Sequence, residues 1–276
     1  MKVLILGSGY VGTALHESMM LEKIEVDVIS LRNAVFSNIQ IQNDIDEATH
    51  IVWAGRDIAT IRQPGMDNSV FFDELLSYLS TRRHFLHFSY ISSGGAIYGN
   101  ADLFPTNEIQ DINPISSYGR GKKMGEERLV RISAQNRTIQ LSILRASNLY
   151  NLNQNQNNFI ATALRSLQNK NKLIIHGGNQ TRDFLHVSDF AKIAIALYSQ
   201  GLTGIFNVGT GKSYSLFKVL DILKEISKIE IECEIYPMSS EDVLRSELDV
   251  CKMKNIYGEE LLDLSTLLLT EISSEK

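Results

Sequence analysis

Three glycines at the end of the first apolar run constrain this chain more than any other feature. Lys2–Leu6 is a short, mostly apolar run of strand length, and Gly7-Ser8-Gly9-Tyr10-Val11-Gly12 follows without a break. From Val11 to Leu21 the apolar residues take helical spacing, and Val26–Leu31 reads as a second strand. A buried strand, a glycine-rich turn and a helix make a βαβ unit of a parallel sheet. In such a turn the first glycine permits the tight bend and the second lets the backbone approach a pyrophosphate. The third lets the helix pack on the strand, so that its N-terminal N–H groups face the anion. The turn predicts a dinucleotide site at Gly7, Gly9, Tyr10, Val11 and Gly12.

The alternation continues. Strands are expected at Ile51–Ala54, Phe85–Ser92, Gln140–Leu144 and Gly204–Val208, and helices at Ser69–Ser80, Tyr118–Gln135, Asn158–Asn169 and Val187–Ser199. Between the second and third strands the usual helix is almost absent. The pattern implies an α/β fold, a Rossmann-type doubly wound parallel sheet with a smaller C-terminal substrate-binding domain. Residues 1–150 and about 184–211 would form the dinucleotide-binding domain, and about 151–183 with 212–276 the substrate-binding one. Past Gly211 come a helix at Leu216–Ser227, a strand at Glu230–Tyr236 and a mixed acidic tail. Asn151–Asn158 is almost all Asn and Gln, whose amides compete for backbone hydrogen bonds, and reads as a loop.

With 276 residues the chain can bury one large core, and its 43% hydrophobic content is that of an ordinary globular protein. A net charge of −5 and the lack of any Lys/Arg run argue against a nucleic-acid binder. The longest apolar runs are too short for membrane insertion. No basic-then-apolar run stands before Gly7, so secretion is not expected, and Cys233 and Cys251 stand apart without metal-site spacing. Both features suit a reducing cytoplasm and no metal.

Tyr118 and Lys122 lie one helical turn apart in Ser116-Ser117-Tyr118-Gly119-Arg120-Gly121-Lys122. A cation on the same helix face as a phenol favours the phenolate, whose free pKa is about 10. Such a Tyr can exchange a proton with a carbonyl or alcohol while hydride moves to or from a nicotinamide. Behind a dinucleotide turn the pair is a catalytic candidate. At the end of the second strand an acid usually meets a free ribose 2′-hydroxyl, but here Ser30 and Arg32 stand in Ser30-Leu31-Arg32. Either could bond a 2′-phosphate, which favours NADP over NAD. Ala54 and Gly55 end a strand where small residues let a dinucleotide lie close. Asp44 and Ile45 are placed beside the adenine. Asn68 either pins a loop near the site or simply caps a helix.

Six segments together resemble the extended short-chain dehydrogenases/reductases of the nucleotide-sugar epimerase/dehydratase type. They are Gly7–Gly12, Ile91–Gly99, Asn113–Gly119, Leu144–Asn148, Arg182–Asp189 and Phe206–Gly211. The resemblance implies Tyr118 as proton donor and acceptor, and Lys122 as the residue that holds the cofactor ribose and tunes the phenol. The usual catalytic hydroxyl position falls on Gly94, a departure that leaves Ser93, ahead of Ser92, as its replacement. The alternative is that both serines only line the nicotinamide. Asn148 matches an asparagine that meets the sugar nucleotide, and Arg182 an arginine that grips its diphosphate. The alternative for Arg182 is an ion pair with Asp183. Met238 and Ser239 stand where another arginine is common, and Arg245 is its candidate substitute.

The resulting expectation is an NAD(P)-dependent enzyme of a nucleotide-activated sugar. A keto-sugar (4-keto) reductase leads, because Ser30 and Arg32 favour NADP. The alternative is a 4-epimerase with tightly bound NAD, and more remotely a non-catalytic dinucleotide-binding regulator. A homodimer is expected through a four-helix interface of Ser69–Ser80 and Tyr118–Gln135. In the first helix Val70, Phe71, Phe72, Leu75, Leu76 and Leu79 exceed one sheet-facing stripe.

Overall fold

The computed structural model describes residues 1–55, 69–151 and 158–274. In the first half, strands and helices alternate. They are β1 (Lys2–Leu6), α1 (Tyr10–Leu21), β2 (Glu25–Ile29), α2 (Ile39–Glu47), β3 (His50–Trp53), α3 (Ser69–Ser80), β4 (Leu86–Ser93), α4 (Gly94–Ile97), α5 (Ser117–Gln135) and β5 (Ile139–Ala146). The second half holds β6 (Asn148–Tyr150), α6 (Phe159–Asn169), β7 (Leu173–His176), β8 (Thr181–His186), α7 (Val187–Ser199) and β9 (Gly204–Val208). It ends with β10 (Ser213–Ser215), α8 (Leu216–Ser227), β11 (Cys233–Tyr236), α9 (Cys251–Tyr257) and α10 (Leu264–Ser274).

Six parallel strands form the main sheet in the order β2-β1-β3-β4-β5-β9. Side chains alternate across it, as a period of two requires. Val3 and Ile5 pack on one face with α1 and α7, whereas Leu4 and Leu6 pack on the other with Trp53 and α3. Burial on both faces explains why these strands read as unbroken apolar runs. Register brings the strand ends together. Leu6 pairs with both Ile29 and Trp53, so Gly7, Ser30 and Ala54 leave the sheet at one level. Trp53 pairs with Tyr90, and Ser93 with Ala146, which extends that edge across β4 and β5. Strand order reverses at β1, and ligands of such sheets bind at this reversal, beyond the carboxyl ends.

Two smaller sheets, β10-β8-β6 and β11-β7, cover a third apolar cluster that includes Tyr150, Leu164, Phe184, Leu223 and Leu268. The expected change of character at residue 184 falls inside β8, which is continuous from Thr181 to His186. Asn158 caps α6 by accepting from Ala161 N at 2.9 Å, and Ser215 caps α8 by accepting from Lys218 N at 3.0 Å.

Two expectations are corrected. A helix does join the second and third strands: Asn38 caps α2, whose Ile41 and Ile45, four residues apart, drive one face into the core. In the mixed acidic tail past Tyr236, α9 and α10 bury Met253, Leu264 and Leu268. The apolar surplus on α3 is absorbed within the subunit. Phe71, Phe72, Leu75, Leu76 and Leu79 are all buried, with Phe72 4.5 Å from Trp53 and Phe71 5.4 Å from Phe36 between ring centroids. Of the six residues counted there, Val70 alone is exposed. Among the described residues no helix is long and apolar enough to cross a membrane.

Candidate active site

A cleft of about 430 Å³ opens over the carboxyl ends of β1, β3, β4 and β5. Gly9, Tyr10 and Val11 form one side of it, with Ala54 and Gly55 beside them. Ser92, Ser93, Tyr118, Lys122 and Asn148 complete the group that the sequence singled out. Ile91, Ala146, Ser147 and Leu149 also line it and were not anticipated, although three of them belong to or adjoin the motif Leu144–Asn148.

The glycine turn fits a dinucleotide. Gly7 has φ +119°, and a Cβ there would stand 2.7 Å from Ala54 C and Gly55 N. A Cβ on Gly12 would come within 1.9 Å of the Gly7 carbonyl, so α1 packs on the turn only with glycine at this position. By contrast, nothing lies within 4 Å of a Cβ on Gly9, whose backbone faces the open cleft. Gly9 caps α1 without any side-chain bond, which leaves the first N–H groups of the helix to a ligand anion.

Ser116 starts α5 by accepting from Gly119 N at 3.0 Å, and Gly119 lets the first turn lie against the Ala96 carbonyl. That placement leaves the Tyr118 ring 41% exposed in the cleft. Lys122, one turn on, is buried; its Nζ donates to the Ile91 carbonyl at 2.8 Å and lies 5.9 Å from the Tyr118 ring centroid. Ser92 is committed elsewhere, donating to Glu126 Oε1 at 2.5 Å. Ser93 caps α4 without a side-chain capping bond, so its hydroxyl remains at the cleft. Asn148 Oδ1, Ser147 Oγ and the Tyr10 hydroxyl are buried without a hydrogen-bond partner, an arrangement suited to a polar ligand. Burial and the neighbouring Tyr118 push the Tyr10 phenol above its ordinary pKa.

Other expected residues lie outside this group. Ser30 and Arg32 are exposed just beyond β2, next to Leu31, whose side chain fills the space beside Gly55. Ile45 is fully buried in the core on α2, because helical spacing aligns it with Ile41. It is a packing residue and does not border the cleft. Asp44 accepts from Gln40 Nε2 at 2.8 Å on the same helix. Asn68 lies outside the described residues. Arg182 is buried and pairs with Asp242, also donating to the Val243 carbonyl at 2.6 Å. Burial pulls its pKa down and Asp242 opposes that. Asp183, the alternative partner, instead accepts from Thr210 N and Gly211 N at 2.9 and 3.0 Å. Arg245 bonds Glu247 at 3.1 Å and stacks 4.5 Å above the Phe104 ring. Among the described residues no cluster of His, Cys, Asp and Glu could hold a metal ion.

Comparison with known proteins identifies the family and agrees with the fold. The family model described as NAD dependent epimerase/dehydratase family matches residues 3–209. A Methanocaldococcus jannaschii protein assigned as a UDP-glucose 4-epimerase is 31% identical over 94% of this chain and 92% of its own length. Among solved structures, the Thermus thermophilus UDP-glucose 4-epimerase complex with NAD superposes with a TM-score of 0.83 at 21% identity, covering 96% of each chain. The Thermotoga maritima UDP-glucose 4-epimerase with UDP-glucose gives 0.82 at 22% identity, over 99% of this chain and 100% of that one. The chain belongs to the NAD-dependent epimerase/dehydratase family, within the extended short-chain dehydrogenases/reductases, and is an enzyme.

Proposed function

We propose that the protein is a nucleotide-sugar 4-epimerase that works with NAD. The observation that carries this is the convergence of Tyr118, Lys122, Ser93 and Asn148 in one cleft beside the glycine turn. The relative that matches almost end to end bears an epimerase name, which moves the lead from the reductase. Gly9, Tyr10, Val11, Ala54 and Gly55 hold the dinucleotide, and Lys122 its ribose. When bound, the nicotinamide supplies a hydride acceptor that later returns the hydride. Tyr118 takes the proton of the sugar hydroxyl as that carbon is oxidised and gives it back on reduction. Ser93 hydrogen-bonds the reacting oxygen, and Asn148, whose Oδ1 is buried without a partner in the protein, orients the sugar nucleotide. Arg182 sits at the smaller sheets, which with α6 and α8 form the substrate-binding part. A diphosphate would share its guanidinium with Asp242.

A second reading, a keto-sugar reductase using NADPH, is favoured by Ser30 and Arg32 at the end of β2, where no acid stands. A cytoplasmic two-fold dimer through α3 and α5, with exposed Val70, Met124 and Val130 at the contact, belongs to the same proposal. Mass spectrometry of nucleotide released on denaturation, together with NMR of UDP-glucose incubated with the protein, tests the choice. Retained NAD and formation of the C4 epimer are expected. An empty site that takes up NADPH and consumes it on a keto-sugar would replace the epimerase by the reductase.

A further inference from the structure

Two consecutive turns of α5 grip two consecutive residues of β4. Lys122 Nζ donates to the Ile91 carbonyl at 2.8 Å, and four residues later Glu126 Oε1 accepts from the Ser92 hydroxyl at 2.5 Å. Between them Gly125 permits the close approach, since a Cβ there would stand 2.3 Å from the Tyr90 hydroxyl. The Glu126 carboxylate, 3% exposed, also accepts from Arg145 Nη2 at 2.8 Å and Nε at 3.1 Å. Arg145 Nη1 donates to the Tyr98 hydroxyl at 2.9 Å, and Tyr98 donates to Asn207 Oδ1 at 2.8 Å. Burying two charges carries a desolvation penalty that well-packed apolar residues of similar volume avoid, so such a pair is poorly explained by stability alone. Its geometry explains it better. One end of the network holds the side chain of the residue that precedes Ser93.

We propose that Glu126 is a positioning residue: by clamping the Ser92 hydroxyl it fixes the β4–α4 junction and so sets where Ser93 presents its hydroxyl to the reaction at Tyr118. This rests on the roles given to Ser93 and Tyr118 under the proposed function. A displacement of about 1 Å at a reacting group can cost about 10²-fold in rate. The clamp therefore acts on turnover and leaves binding of the dinucleotide nearly untouched.

Glu126→Gln is the direct variant, but it leaves the Arg145 charge buried against a neutral partner and can fail to fold. Ser92→Ala removes only the clamped hydroxyl and keeps the ion pair. It should lower kcat at least about tenfold while KM and the Kd for NAD stay within about two-fold. Leu129→Ala, a buried truncation one turn further along α5, controls for mere destabilisation and should leave kcat within about two-fold. Ser92→Ala retaining more than half of the wild-type kcat, or Leu129→Ala losing as much as Ser92→Ala, overturns the proposal. A wild-type protein inactive on UDP-glucose would count against the proposed function instead. The clamp is then read from the ¹⁹F resonance of 3-fluorotyrosine placed at position 118, which should move in Ser92→Ala and stay put in Leu129→Ala. An unmoved resonance in Ser92→Ala would refute the clamp.

Discussion

Leu248 closes the space above Gly94: a Cβ built on Gly94 would stand 2.7 Å from Leu248 Cδ1, and 2.9 Å from the Arg145 carbonyl. The usual position of the catalytic hydroxyl is thereby shut in this chain, and Ser93 next to it keeps its hydroxyl at the cleft. Gly94→Ser should cost about 1–3 kcal/mol through overpacking. Leu248→Ala alone should destabilise through its cavity. Because the two changes relieve one another, the double variant should be more stable than the sum of the single losses by at least about 0.5 kcal/mol. Urea unfolding midpoints of the four proteins measure this. Strict additivity would show that Leu248 does not exclude a side chain at position 94.

Tyr118→Phe should reduce kcat by about 10²–10⁴-fold, the usual contribution of a general acid–base group. Dinucleotide affinity should stay within a few-fold, because the phenol moves a proton and the glycine turn holds the cofactor. Steady-state kinetics and a binding titration check both halves. More than a tenth of wild-type kcat would remove Tyr118 from the proton-transfer role.

Arg32→Asp should weaken NADPH at least about tenfold relative to NADH, since charge-assisted hydrogen bonds contribute about 1.5–3 kcal/mol each. Arg32 is exposed two residues beyond Ser30, which leaves the sheet level with Gly7. Paired titrations with the two reduced cofactors give the ratio. If it does not change, Arg32 does not face the 2′-position.

His87 makes folding stability depend on pH. Its ring is buried and stacked on His50, and Nε2 donates at 2.8 Å to Ser142, whose own hydroxyl bonds the Leu202 carbonyl. Burial pulls its pKa from 6.5 down to about 4. The unfolded chain therefore takes up the proton first, so stability present above pH 6.5 is lost as pH falls towards about 4. The loss is about 3 kcal/mol. His87→Gln should flatten the dependence of the urea midpoint between about pH 7 and pH 4.5. An equal slope in both proteins would assign it to other groups.

Sedimentation equilibrium at micromolar concentration should give twice the 31.0 kDa chain mass. With the phenylalanines and leucines of α3 buried inside the subunit, the contact must rest on residues such as Val70, Met124 and Val130. Replacing Met124 and Val130 with Glu should then yield monomers that remain folded by circular dichroism. A wild-type mass near that of one chain would refute the dimer.

The main sheet and most helices were legible in the sequence, because alternation, helical spacing and turn residues are local signals. Ser69–Ser80, Val187–Ser199, Leu216–Ser227 and Gly204–Val208 run between the residues expected of them. The helix α2 escaped notice, since only Ile41 and Ile45 of its nine residues enter the core, while Ile39 is exposed and the rest is polar. The sequence by itself determined the glycine turn, the Tyr118–Lys122 pair and the order of motifs that places the chain in its family. Tertiary structure alone decided which serine hydroxyl is tied to a carboxylate, which carboxylate pairs with Arg182, and where the apolar surplus of α3 goes. Each of those outcomes depends on a partner far away in the chain: Glu126 for Ser92, Asp242 for Arg182, Trp53 and Phe36 for α3. A local pattern specifies what a residue can do, but hydrogen-bond and packing partners are chosen only once the strands have fixed their register.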